Sequence, residues 1–118
     1  MPLNNAGKGV ALNALGAAVL RVSLHTADPS TSGANEVTGG SPAYAKEAVA
    51  FGAATNGVIA STGDVVFDVP GGTTITHLGF WNAAGTTFYG GQALSAPETY
   101  GSQGTYTLLT GDITVTLT

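Results

Sequence analysis

A chain of 118 residues has material for one domain built on one hydrophobic core. Only 8% of its residues are charged, against roughly 25% in an average globular domain, and its net charge of −4 includes just three cations, Lys8, Arg21 and Lys46. So few cations argue against direct nucleic-acid binding, the lack of cysteine excludes disulfides and thiolate metal sites, and no stretch reaches the roughly 20 apolar residues of a membrane-spanning helix.

The opening segment MPLNNAGKGVALNALGAAVL is interrupted by Gly and Asn and has one base, so it is expected to stay on the mature protein rather than act as a leader. Leu12, Leu15 and Val19 share one helical face, which predicts a short N-terminal helix or arm over residues 1–18. VLRVSLH then alternates, with Leu20, Val22 and Leu24 opposite Arg21, Ser23 and His25, the pattern of a half-buried strand. Residues 26–43 are rich in Gly, Ser, Thr and Asn and exceed the length of ordinary connections, so a partner is expected to order them.

YAKEAVAFG reads as a strand with its buried face left open, helix being the competing reading. Asn56-Gly57 predicts a tight turn ahead of VIAS. DVVFDVP places Val65, Phe67 and Val69 on one face, with Asp64 and Asp68 opposite, and stops at Pro70-Gly71-Gly72. TTITHLGFWNAAG is apolar on both faces and reads as a central strand. TTFYGGQAL is expected to pair with it across the Ala83–Gly85 turn. GTYTLLTGDITVTLT predicts a final hairpin around Gly111-Asp112, with Ile113, Val115 and Leu117 inward. The expected fold is all-β: a single antiparallel β-sandwich or barrel over residues 19–118, with about seven or eight short strands.

His25, Asp28, Asn35 and Glu36 crowd into SLHTADPSTSGANEVTGG, but without the alternating acids and turn glycine of an EF-hand loop, so neither metal nor cofactor is assigned. Asp28-Pro29 is expected to shape a bend, the carboxylate accepting from backbone amides just ahead. A nucleophile would need His25 or His77 as its base, and neither sits in an elbow or triad context. His77 is expected to be a buried imidazole bonded to backbone or to a tyrosine. Asp64 and Asp68 read as solvated, and Phe80, Trp81, Phe88 and Tyr89 as core rather than a carbohydrate platform. No enzymatic activity is expected.

SLHTADPSTSGANEVTGGSPAYAKEAVAFGAA and GDVVFDVPGGTTITHLGFWNAAGTTFYGG resemble a family of small tailed-bacteriophage virion proteins, described as head decoration, minor capsid or tail-fibre-like proteins. LHTADP, GANEV and THLGFWNA are the most specific parts, and the likeness runs from about Val19 onward. The resemblance implies a non-enzymatic β-rich subunit that binds a capsid lattice or another virion surface in many copies, and its expected place is the outer surface of the capsid. The expected role is capsid decoration: a homo-oligomer, a trimer favoured, that cements neighbouring major capsid proteins through multivalent contact. The alternative is a tail or receptor-binding module that recognises a host surface glycan. Expected partner-binding residues are Leu3, Asn5, Lys8 and Val10 in the N-terminal segment and Asp28, Pro29, Asn35 and Glu36 in the loop; no nucleic acid or membrane partner is expected.

Overall fold

The Asn4 side-chain Oδ1 accepts from the Gly7 amide at 2.9 Å and caps helix α1 (Asn5–Ala18) in the computed structural model, which describes residues 3–117. Leu12 of α1 is buried, and Gly16 meets Phe51 and Ile59 with no side chain of its own in the way. The helix ends at Val19, whose amide donates to the Leu15 carbonyl at 2.8 Å. Asn4→Ala removes the cap and is expected to lower stability by about 1 kcal/mol, read as a small drop in the urea midpoint with the far-ultraviolet spectrum preserved.

Eight antiparallel strands follow: β1 (Arg21–His25), β2 (Glu47–Ala48), β3 (Val58–Ala60), β4 (Val65–Val69), β5 (Thr73–Trp81), β6 (Phe88–Tyr100), β7 (Gly104–Leu108) and β8 (Thr114–Thr116). They form one four-stranded sheet in the order β2-β1-β5-β6 and two ribbons, β3–β8 and β4–β7. The core lies between the sheet and the ribbons: Val22, Leu24, Ile75, Leu78 and Phe80 pack with Val65, Phe67, Val69, Leu108 and Ile113. The architecture is all-β with one N-terminal helix, as the strand periodicities predict.

β5 is central, paired with β1 on one side and β6 on the other. In β4, Val65, Phe67 and Val69 are buried while Val66 is exposed, because period-two alternation turns one face of a ribbon inward. Asn56 (φ 51) and Gly57 (φ 79) make the tight turn, and Thr55 and Val58 exchange backbone bonds across it.

Three expectations are corrected. β7 and β8 flank Gly111 but do not pair with each other, since β7 takes β4 and β8 takes β3. YAKEAVAFG contributes only the two residues of β2, with Phe51 in an isolated bridge to Ser61. β1 is buried on both faces, Ser23 and His25 included, because the following loop folds back over its polar side.

Candidate functional site

The loop that follows β1 is ordered by the chain itself. Asp28 Oδ1 accepts from the Ser30 amide at 2.8 Å, which makes the bend that Asp-Pro implies. The Pro29 carbonyl accepts from the Gly33 and Ala34 amides, and Asn35 Nδ2 donates to the Asp28 carbonyl at 3.1 Å. Residues 35–37 then run back beside β1: Thr26 N bonds to the Asn35 carbonyl and Val37 N to the Leu24 carbonyl, both at 3.0 Å. Gly33 (φ 76) lies flat on Trp81, where a Cβ would sit 2.6 Å from Cζ2. Only glycine meets both demands.

Under this loop runs a buried polar chain. Trp81 Nε1 donates to Ser23 Oγ at 2.7 Å, Ser23 Oγ and His25 Nε2 are 2.6 Å apart, and His25 Nδ1 lies 2.7 Å from the Ala34 carbonyl. A carbonyl only accepts, so Nδ1 carries the proton, Nε2 accepts and the serine hydroxyl donates to it. Gly79 on β5 makes room, since any Cβ there would collide with Ser23 Oγ and His25 Nε2. Burial lowers the His25 pKa below the ordinary 6.5, opposed by the Ala34 bond and by Glu36.

Beside it stands a second network. Tyr44 donates its hydroxyl hydrogen to Glu36 Oε2 at 2.8 Å and accepts from the Leu24 amide at 2.9 Å. Lys46 Nζ holds Glu36 Oε1 at 2.9 Å and lies 4.3 Å from the Trp81 ring centre, so one ammonium serves a carboxylate and an aromatic face. Burial, with Glu36 adding to it, raises the Tyr44 pKa and keeps the phenol neutral. Tyr44→Phe strands the Leu24 amide and is expected to cost about 1–3 kcal/mol, measured by urea unfolding, with Glu36→Gln as the milder comparison.

The four donors that looked like a metal shell in sequence therefore have separate occupations. Both His25 nitrogens and both Glu36 oxygens are taken, Asp28 holds its turn, and Asn35 braces the same turn. Among the described residues no three His, Asp or Glu side chains gather to hold an ion. Ser23 and His25 have the spacing of a nucleophile and its base, but both are 0% exposed and the imidazole's other nitrogen faces a carbonyl rather than a carboxylate. His77 is half-buried, and its Nδ1 meets the neighbouring Thr76 hydroxyl at 2.8 Å rather than backbone or a tyrosine. Phe80 and Trp81 are buried as expected for core, whereas Tyr89 is 45% exposed.

The expected partner-binding residues fall on opposite faces of the four-stranded sheet. Asp28, Pro29, Asn35 and Glu36 cover the Ser23, His25 and Trp81 side, where Pro29 is buried and Glu36 is paired within the chain, leaving Asp28 and Asn35 exposed. α1 lies on the other side, its Leu15 bordering a cavity with Phe80. There Val10 is 74% exposed and Leu3 39%, Asn5 is exposed, and Lys8 is half-buried with its stem near Gly57. Tyr44 and Lys46, which complete the Glu36 network, carried no sequence signal beyond a strand-like alternation. Their partner lies eight and ten residues away along the chain.

Among known families, the one described as podophage GP4 fiber I protein gp80 matches residues 3–116. No curated protein and no solved structure matches the chain.

Proposed function

The chain belongs to the family described as podophage GP4 fiber I protein gp80, and on that premise we propose that this structural phage protein is a fibre subunit rather than a cement of the capsid lattice. The observation that carries the reading is the family match, which spans residues 3–116 and so takes in the helix as well as the strands. The cement role, with the major capsid protein as partner, is the rival outcome of the experiment below.

The role is non-enzymatic. Ser23 with His25, a pairing with nucleophile-and-base spacing, is sealed at 0% exposure and spends its hydrogen bonds on pinning a loop. A fibre subunit needs surfaces that meet copies of itself, and the outer side of α1 supplies one. Leu3, Ala6, Val10, Ala14 and Ala17 lie at spacings of three and four, all exposed and all uncharged. Copies with a net charge of −4 can approach there without meeting carboxylates. A closed trimer is the favoured arrangement.

Immunogold labelling of intact virions tests the reading. Gold on fibres supports it, and gold spread over the head shell restores the cement role.

A further inference from the structure

The register of β6 places Gly90 opposite Phe80, Gln92 opposite Leu78 and Glu98 opposite Ile75. Residues directly opposite in an antiparallel pair share a face, and Phe80, Leu78 and Ile75 are all buried core. At those three positions the inner face of β6 carries Gly, Gln and Glu where its neighbours call for bulky apolar groups, while Leu94 and Tyr100 of the same strand pack against the core. β6 is the outermost strand of its sheet, so the gap between sheet and ribbons opens to solvent there.

Two cavities follow from it. The smaller, about 190 Å³, is apolar and bordered by Leu15, Phe51, Ile59, Phe80 and Val115, with Tyr89 at its edge. The larger, about 480 Å³, starts at Gln92 and runs past Ala93, after which β6 departs from its register with β5; Leu94 and Glu98 line it together with Tyr106, Leu108 and Asp112. Burial, then the charge of Glu98, raises the pKa of Tyr106 and keeps it a neutral donor.

Glu98 and Asp112 are exposed, and among the described residues neither has a cation. The ion pair among the described residues joins Lys46 to Glu36, Arg21 Nε donates to the Ala83 carbonyl, and Lys8 lays its stem near Gly57. Two carboxylates on separate elements suit a compact ammonium, whereas the planar fork of arginine matches a single carboxylate. Leu94 and Leu108 offer apolar surface for a lysine stem.

We propose that this cleft seats a lysine from a different virion protein, with an apolar residue of the same segment in the smaller cavity. The inference rests on the chain being a virion component, and it names the kind of partner that holds the subunit in place.

Phage carrying Glu98→Gln together with Asp112→Asn provides the test; both changes keep shape, and the Asp112 bond to the Leu109 amide survives as an amide oxygen acceptor. Copies of the variant per purified virion are expected to fall about tenfold or more, with the melting curve of the isolated protein unchanged. Zero-length carbodiimide coupling of wild-type virions is expected to join Glu98 or Asp112 to a lysine of another virion protein. Wild-type copy numbers for the variant would overturn the proposal, as would coupling only to Lys8 of a second copy or no coupling at all. A variant that aggregates but loads normally would make Glu98 a guard of the sheet edge instead. The wild-type copy number in the same virions tests the virion reading separately from the cleft.

Discussion

Replacing His25 with alanine is expected to lower the unfolding free energy by about 3 kcal/mol or more. The imidazole is fully buried and accepts from Ser23 of its own strand, whose hydroxyl oxygen in turn accepts from Trp81 of β5, while its other nitrogen donates to the Ala34 carbonyl of the loop. Its loss leaves a cavity, a serine hydroxyl with one partner fewer and a carbonyl without its donor. Urea unfolding followed by the fluorescence of Trp81, the single tryptophan, measures the cost. A loss below about 1 kcal/mol, the worth of one ordinary hydrogen bond, would show that the loop is held mainly by Pro29 and Gly33.

The same residue gives the fold a pH dependence. Burial depresses the His25 pKa in the folded state below the unfolded value of 6.5, so the unfolded chain binds the proton more readily. Its contribution is complete above the unfolded pKa and declines as pH falls through it towards the folded pKa. Wild-type melting temperature is expected to drop between neutral and mildly acidic pH, and His25→Ala to remove that part of the slope.

On the proposed self-contact through α1, Val10→Asp is expected to leave a monomer with its fold intact. Val10 is 74% exposed, so its replacement disturbs no packing within the chain and stability should change by no more than about 0.5 kcal/mol. Placed at the centre of the uncharged face of α1, an aspartate sets a carboxylate against its copies, with like charges meeting at close range. Light scattering coupled to size exclusion gives the molecular mass directly. Unchanged mass would move the self-contact away from α1. Deleting the helix is a poorer test, because Leu12 is buried and Gly16 packs on Phe51 and Ile59, so folding and assembly would fail together.

The strands that were legible in sequence are those whose partners lie close by or whose pattern is strict. Val65, Phe67 and Val69 alternate cleanly, Asn56-Gly57 marks its turn by backbone strain alone, and β5 declares its central place by being apolar on both faces. Pairing was legible only where a short turn enforced it, as for β5 and β6. β7 and β8 look like a hairpin on either side of Gly111, yet their partners, β4 and β3, lie far back along the chain, and nothing local encodes a distant pairing.

The loop was legible in part for the same reason. Asp28-Pro29 acts through neighbouring amides and could be read from two residues. Ser23 and His25 carry polar side chains that period-two reasoning turns outward, and only the returning loop buries them. The cleft beside β6 left no sequence signal, since Gly90, Gln92 and Glu98 become unusual only when register sets them against Phe80, Leu78 and Ile75.

The most direct test of the fibre assignment is the copy number of this chain in intact virions and in heads purified without tails, measured by quantitative mass spectrometry. The expected result is a small number of copies in intact virions, in multiples of three, and none on the isolated heads. Abundant copies retained on those heads would contradict it and return the protein to the capsid lattice.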